Sequence, residues 1–557
     1  MRAFLTKYHR FLFYSSWALL MIIQATLTEL QDDEAYYWVY SKFLSWGYFD
    51  HPPMTAFLIK GGTLLLGGEL GVRIFFIVLN LLTVLMIEKL MEKRSPFLFY
   101  AIALSIAVLQ LAGYFAVPDT PLIFFTALFF WTYKQFVLRS SWRNTLLIAF
   151  STVLLFYTKY HAVLIILFTL LSNMKLLSRR QTYIAGLIVL ILFFPHLYWQ
   201  WQHGWVSIRY HLFESNVDPY KFSYTTEYLL GQVLLAGPLA GIILLPAALS
   251  FRSTTYTERA MKFTLIGTYL FFFLSSFRGK VEPNWTSPAI IPLVVLAHQS
   301  LLQKKELLKW LIRLIPFSII IILFARIVMI VNIAPFKMVE SRFHAWERWP
   351  AELKIKTHDL PVVFSNSYQR ASKYWFYSGQ MTYSQNYVRD HRNNYNFWPI
   401  EERLLGKPVY FMDTYGLERF PDKINTGIGT IGYRYDSACT SMAMIQFIPL
   451  QSLHWNYSMT TGDSLIIPVK ITMPASYASF IRSHPVINSR IKLFILDHKT
   501  ILEQIALPYD LKDLLNGELQ IKVRPSVPPG EHEFIFSIEA EGYNPTHNSE
   551  RIKLTVH

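Results

Sequence analysis

The chain has 557 residues, 53% of them hydrophobic, 16% aromatic and only 16% charged, with a formal net charge of +15. Soluble domains carry about 25% charged residues, so composition excludes an ordinary soluble fold. A single cysteine, Cys439, excludes an intrachain disulfide framework.

Apolar blocks recur at about 11–30, 69–88, 97–116, 121–138, 144–172, 182–199, 227–249, 263–277, 287–302 and 310–332. Most are long enough to cross a hydrocarbon layer of about 30 Å. The first follows Arg2, Lys7 and Arg10, lacks a small-residue cleavage site, and reads as a retained helix rather than a signal peptide. Basic residues sort the loops. Lys89, Lys93 and Arg94, Arg139 and Arg143, Lys175, Arg179 and Arg180, Arg252, Arg259 and Lys262, and Lys304, Lys305, Lys309 and Arg313 share one side with the N-terminus. The opposite side holds only scattered Lys42, Lys60, Arg73, Lys159, Arg209, Lys221, Arg278 and Lys280. The denser side is cytoplasmic by the positive-inside rule. The positive charge is therefore a topology signal, and a nucleic-acid partner is excluded.

The loops at 139–143 and 175–180 are both basic, although only about 29 apolar residues separate them. One span there would invert every later loop. The block is predicted to be two short helices meeting near Tyr157–His161, which makes about eleven transmembrane helices with the N-terminus inside and the C-terminus outside. Non-helical backbone at membrane depth needs protein or a water-filled cavity around it, so a polar cavity is expected at that tip.

From Pro335 the spanning pattern ends. The expected organisation is a membrane domain over 1–334, an extracytoplasmic mixed α/β region over 335–452 and an extracytoplasmic β-sandwich-like domain over 453–557. The middle region mixes short β runs (Val362–Phe364, Val409–Met412) with a helix around Gln369–Tyr377. The last alternates strand and turn through "SLIIPVKITM", "RIKLFILD", "ELQIKVRP", "EHEFIFSIEAEG" and "ERIKLTVH".

Six polar clusters fall on the outer side: "DDEAYYW" (32–38), "GYFDHPPM" (47–54), "VPDTPL" (117–122), "YTKYH" (157–161), "WQWQHGW" (199–205) and "RGKVEPNW" (278–285). Ionisable groups at a membrane are costly and face functional cavities, so one shared site is expected. Asp32, Asp33 and Glu34 offer a carboxylate base; the plain alternative is a solvated acidic helix end. Asp119, between Pro118 and Pro121, is a second carboxylate or simply a helix N-cap. Asp50 and His51 pair an acid with an imidazole in a rigid turn, where His51 suits a phosphate. Lys159, at a hairpin tip, needs a partner, which a lipid phosphate would supply, unless it snorkels to the interface. Lys280 and Glu282 either join the site or pair with each other beside an interfacial Trp285. No P-loop, dinucleotide-binding glycine fingerprint or zinc-spaced cysteine set occurs, which argues against nucleotide-dependent chemistry.

The runs "DDEAYYWVYSKFLSWGYFDHPPM", "VPDTPLIFF", "YTKYHAVLI", "FFPHLYWQWQHGWVSIRYHL" and "GKVEPNWTSPAIIPLV", in this order, resemble the bacterial branch of the dolichyl-phosphate-mannose protein mannosyltransferase family, which includes lipid A aminoarabinose transferases. The resemblance covers roughly residues 10–330. It implies a C-type glycosyltransferase fold in the bacterial cytoplasmic (inner) membrane. It further implies a polyprenyl-phosphate sugar donor, inversion at carbon 1, and a lipid, glycan or protein acceptor. No cofactor is required on this reading, and a divalent metal stays open. The family's Asp-Glu falls on Asp33-Glu34, with Asp33 the base or acceptor-orienting group, and its later acid falls on Asp119. The aminoarabinose transferases show Glu-Lys-Pro-Pro where this chain has Asp50-His51-Pro52-Pro53. His51 is thus a weaker, pH-sensitive phosphate partner, and more of that role falls on Lys159 and Lys280. Tyr36, Asp50, His161, Glu282, Asn284 and Trp285 are the expected substrate contacts. The rival reading is a transporter or flippase of a lipid-linked saccharide. Such a protein should show symmetry between its halves, and none is evident.

Overall fold

A computed structural model describes residues 2–214, 219–333, 337–450, 456–484, 487–498 and 500–557, arranged as two compact units, Met1–His344 and Ala345–His557. The expected domain boundaries at 335 and 453 lie outside the described residues.

The first unit is helical. In chain order it contains α1 (Arg2–Leu27), α2 (Asp32–Tyr40), α3 (Met54–Leu65), α4 (Gly68–Leu90), α5 (Pro96–Ser105), α6 (Asp119–Leu138), α7 (Trp142–Phe156) and α8 (Ala162–Ser172). Then come α9 (Arg180–Gln202), α10 (Val206–Arg209), α11 (Phe222–Leu235), α12 (Gly241–Ser250), α13 (Tyr256–Ser275), α14 (Ile290–Leu301) and α15 (Lys305–Ile330). The last 21 residues of α1 together with α4, α6, α9 and α15 are long and apolar enough to cross a membrane. Leu187, Ile191 and Phe194 on α9 and Ile312, Phe317 and Ile320 on α15 stay exposed. An apolar outer surface of this kind fits lipid as its solvent. The chain is a multi-pass membrane protein.

The block 144–172 divides as expected. α7 and α8 have 15 and 11 residues, about 22 and 16 Å at 1.5 Å per residue, each too short to span alone. Ser141 caps α7 by accepting from Asn144 N at 3.3 Å. The tip is anchored where Tyr157 O accepts from Met54 N at 3.1 Å. Other spans differ from expectation. The stretch 227–249 is two helices, α11 and α12, broken where Gly237 takes φ +125° and presses against Ser105 O. A Cβ there would lie 2.5 Å from that oxygen, so no other residue fits without a shift. The stretch 97–116 is α5 followed by a π-helical turn, Val108–Ala112. α2 and α3 lie between the expected spans 11–30 and 69–88, where no helix is expected.

The second unit opens with a five-stranded sheet ordered β2-β1-β3-β5-β4, built from β1 (Val362–Ser365), β2 (Thr382–Gln385), β3 (Val409–Asp413), β4 (Asp422–Thr426) and β5 (Gly429–Asp436). β1 pairs in parallel with β2 and β3, and the helix Tyr368–Ser378 links β1 to β2. Two further sheets follow. β6 (Gln446–Pro449), β8 (Leu465–Thr472) and β11 (Glu518–Val523) form one in the order β11-β8-β6. β7 (Asn456–Met459), β9 (Ser489–Asp497), β10 (Thr500–Ala506), β12 (Gly530–Ala540) and β13 (Ile552–Val556) form the other, β10-β9-β12-β13-β7. Both contribute to one core containing Ile467, Val469, Leu493, Phe534 and Phe536.

β6 precedes residue 453 yet pairs with β8, so this core recruits strands from ahead of the expected boundary. Buried Glu401 also ties the two parts together, accepting from Tyr477 Oη at 2.7 Å, Met444 N at 3.0 Å and the Ser441 hydroxyl. A fragment 345–557 is expected to unfold cooperatively, whereas 453–557 lacks β6 and the Glu401 anchor. Losing even 1 kcal/mol would lower the midpoint of the shorter fragment by about 4–8 °C. Thermal melts by circular dichroism compare the two.

Candidate active site

Contacts gather the six polar clusters at one end of the helical unit. Ala116 N donates to Glu34 at 2.8 Å, Ser207 Oγ to Tyr48 O at 2.9 Å, and Asn284 Nδ2 to Asp119 at 3.0 Å. His196 Nδ1 lies 2.7 Å from Trp46 O. Gly47 sits against the Trp199 ring, which a Cβ would meet at 2.4 Å.

Asp119 and Lys159 form the centre. Both are buried, and Lys159 Nζ donates to the two carboxylate oxygens at 3.0 and 3.1 Å. Ser287 Oγ donates to Oδ1 at 2.6 Å and Asn284 Nδ2 to Oδ2 at 3.0 Å. These four hydrogen bonds from three side chains fill the capacity of a carboxylate. Asp119 is therefore committed to holding Lys159, rather than open to receive a proton.

A second group of carboxylates, Asp33 and Asp50, lies on and beside α2. Along α2, Asp33, Tyr36, Tyr37 and Tyr40 follow the i, i+3, i+4, i+7 spacing of one helix face. Tyr36 and Tyr40 donate to Asp50 Oδ2 at 3.1 and 3.0 Å, and the Tyr37 ring lies tilted beside the His51 ring, 5.7 Å between centroids. Asp33 shares that face, half-buried. Burial and the neighbouring Asp32 raise its pKa, against the opposing effects of Gln31 and Arg342. Among the described residues no salt bridge holds it. Burial likewise pushes Asp50 up to about 6, opposed by the Tyr40 and Tyr36 hydroxyls. His51 is held well below the usual imidazole range by burial and then by the Lys159 cation. Its Nδ1 and that of His161 are buried with no hydrogen-bond partner among the described residues.

Glu34 points elsewhere. It caps its own helix by accepting from Gln31 N at 2.9 Å. Its carboxylate also receives Arg73 Nε and Nη2 at 2.8 and 2.6 Å. Arg73 is fully buried and donates further to the Ala25, Thr28 and Glu29 carbonyls, at 2.9, 2.6 and 2.8 Å. Its guanidinium lies over the Tyr114 ring. This hub joins α1, α2, α4 and the loop that leads to Asp119. The Glu34 oxygens already accept from Arg73, Gln31 and Ala116, an arrangement that suits a positioning role better than the expected catalytic one.

Lys280 and Glu282 pair with each other at 2.9 Å, both about half exposed, so their own attraction, rather than a buried anion site, fixes them in this structure. His161 lies 5.7 Å from the Trp285 ring and 5.1 Å, edge-on, from Phe272. Sequence reasoning left out Arg73 as a site residue, counting it among scattered loop charges. An arginine inside an apolar run was the available signal. It also left out Ser287, Tyr40 and His211. Among the described residues no group of three or more His, Cys, Asp and Glu side chains is arranged to hold a metal ion. An apolar cavity of about 390 Å³ lies between α6, α7, α8 and α9, lined by Phe129, Tyr133, Phe156, Ile166, Leu190 and Phe193.

Residues 50–199 match the family model described as dolichyl-phosphate-mannose-protein mannosyltransferase. That stretch holds His51, Asp119, Lys159 and His161 and leaves Asp33 outside. The lipid A galacturonosyltransferase RgtD of Rhizobium johnstonii is 24% identical over 302 residues, 51% of this chain and 63% of that relative. The chain thus matches just under two thirds of that relative's length. The crystal structure of apo ArnT from Cupriavidus metallidurans aligns with a TM-score of 0.60 at 12% identity, over 77% of this chain and 98% of ArnT. The same protein bound to undecaprenyl phosphate aligns at 0.55 and 13% identity, over 76% and 97%. Residues 50–199 are therefore similar to the dolichyl-phosphate-mannose-protein mannosyltransferase model, within a multi-pass chain that shares the fold of ArnT.

Proposed function

We propose that this chain transfers a sugar from a polyprenyl-phosphate carrier to a lipid acceptor, lipid A being the first to test, at the outer face of the bacterial inner membrane. The observation that carries the reading is the buried Lys159, held by Asp119 with His51 and His161 beside it, in the same gathering of polar clusters that contains Asp33 on α2. The Lys159 ammonium has a third N–H beyond the two contacts it makes with Asp119, and it suits the carrier phosphate, whose leaving charge is the largest electrostatic demand of the reaction. Asp33 takes the acceptor hydroxyl's proton as the oxygen attacks carbon 1 from the face opposite the phosphate. Asp119 keeps Lys159 in place. The apolar cavity between α6 and α9 offers the isoprenoid tail a dry site. The leaving group is already a phosphate, so no nucleotide or other cofactor enters. The names of the relatives support donor and acceptor class: one is a lipid A transferase, and the other is solved with undecaprenyl phosphate.

Membrane vesicles given labelled undecaprenyl-phosphate sugars, hexosyl, hexuronosyl and pentosyl in turn, test the activity with lipid A as acceptor. Label should reach lipid A from one of them. Label that crosses the membrane still attached to the carrier would favour the flippase reading instead.

Two predictions follow from the site. Lys159→Gln should raise the apparent donor KM or lower kcat by about tenfold to a hundredfold, the loss of a charge-assisted contact of about 1.5–3 kcal/mol. Lys280→Ala should shift either by less than about fivefold, as for an exposed pair worth about 0–1 kcal/mol. Steady-state kinetics at equal expression separates the two lysines. For orientation, cysteines placed at Arg94, Arg180 or Lys305 in a Cys439→Ser background should resist an impermeant outer reagent, while one at Lys280 should react. Outer labelling at 180 would refute the two-helix topology of α7 and α8.

A further inference from the structure

Three imidazoles surround the Lys159 end of the site. His51 and His211 face each other with ring centroids 6.5 Å apart, and His211 lies 5.6 Å from the Tyr160 ring. His211 Nε2 is 3.0 Å from Asp50 O, on the residue beside His51. His161 follows Lys159 by two positions and carries, like His51, a buried Nδ1 without a partner. The groups that act on His51 come from every element around it: Lys159 and His161 from the α7–α8 tip, Asp119 from α6, and His211 from the segment after α10. Asp50 adjoins it in the chain, and the Tyr37 ring on α2 lies tilted against it. The imidazoles of His51 and His161, each with a buried, unpaired Nδ1 beside a cation, are poised for one event. An entering anion cancels the influence of Lys159 and offers each nitrogen an acceptor.

We propose that His51, His161 and His211 form a proton-coupled receptor for the donor's phosphodiester, taking up one proton as the anion enters and passing it to the phosphate that leaves. The inference rests on the transferase reading above. The steps balance. One imidazole gains a proton from solvent when the singly charged diester binds. The acceptor O–H bond then breaks, its proton going to Asp33, while the new C1–O bond forms and the C1–O bond to phosphate breaks. The leaving monoester, born doubly charged, takes the imidazolium proton and departs singly charged. Asp33 returns its proton to solvent. A lysine in place of His51 would bind the diester with no such uptake, which gives the departure from Glu-Lys-Pro-Pro a chemical consequence.

The test uses farnesyl methyl phosphate, a diester whose single charge is constant where a monoester would titrate near pH 6. Binding to the full-length protein is measured calorimetrically in buffers of different ionisation enthalpy, from about pH 6 to 8, the range in which histidine titrates. About one proton should be taken up per diester near pH 7, and affinity should fall by up to about tenfold per pH unit as pH rises. The His51→Lys variant should bind with a flatter pH profile, and His161→Gln and His211→Gln should each reduce uptake. Binding without uptake in the parent chain overturns the histidine receptor and leaves the transferase reading standing. Uptake that vanishes in Asp50→Asn but survives in all three histidine variants assigns the proton to Asp50 and also overturns it. No binding of the diester at any pH removes both readings.

Discussion

Replacing Asp33 by asparagine is expected to lower transfer by about 10²–10⁴-fold, the worth of a positioned general base, while the protein still inserts and binds donor. Asparagine keeps the shape and the hydrogen bonding and loses only proton acceptance. The neighbours act as controls because adjacent residues on a helix point about 100° apart. Asp33 shares its face with Tyr36, Tyr37 and Tyr40, two of which hold Asp50. Asp32 lies off that stripe, so Asp32→Asn should matter much less. Asp33 must be ionised to accept a proton, and burial together with Asp32 raises its pKa. Activity should therefore fall as pH drops through that raised value, at a higher pH than an ordinary aspartate would give. Equal, mild effects at positions 32, 33 and 34 would leave only a generic acidic patch. Loss of donor binding in Asp33→Asn, with chemistry intact at saturation, would make Asp33 a donor-site residue instead.

The membrane fold was legible because its signals are one-dimensional. Apolar run length and the sorting of basic loops act residue by residue, and the parity argument placed the α7–α8 tip at Tyr157–His161, where the chain turns. The gathering of six polar clusters was legible for the same reason, since topology alone puts them on one side. Pairing within the site was not. That Lys159 meets Asp119, 40 residues away, or that Glu34 meets Arg73, 39 residues away, depends on helix packing that no local pattern encodes. The triplet Asp32-Asp33-Glu34 shows the limit well. Composition makes its members alike, and only the rotation of α2 gives one an open face and another a buried arginine. The break at Gly237 was hidden because the run 227–249 is apolar throughout, and the glycine's close approach to Ser105 is a tertiary fact. β6 was missed because four residues carry too little alternation to stand out.

The Arg73–Glu34 hub should govern stability and activity separately, and paired substitutions can show it. Arg73→Met removes a guanidinium with no exposed surface and strands Glu34 in a site of equally low exposure. Breaking one side of a buried pair costs about 3–5 kcal/mol. The single variant should therefore unfold at a markedly lower temperature in detergent and accumulate poorly. Adding Glu34→Leu removes the stranded charge, and apolar replacements for a buried pair are often neutral or better, so the double variant should recover much of the midpoint. The recovery should be incomplete. Ala116 N would lose its acceptor, and an unpaired buried donor costs about 1–3 kcal/mol. Transfer should not recover with it. Glu34 is the side chain that ties α2, with Asp33, to the loop that presents Asp119, and without it the base and the Lys159 centre lose their fixed spacing. Scanning fluorimetry and the vesicle assay on the same preparations read the two effects. A double variant that regained both would reduce the hub to packing, and a single variant as stable as the parent would show that Glu34 finds a partner elsewhere.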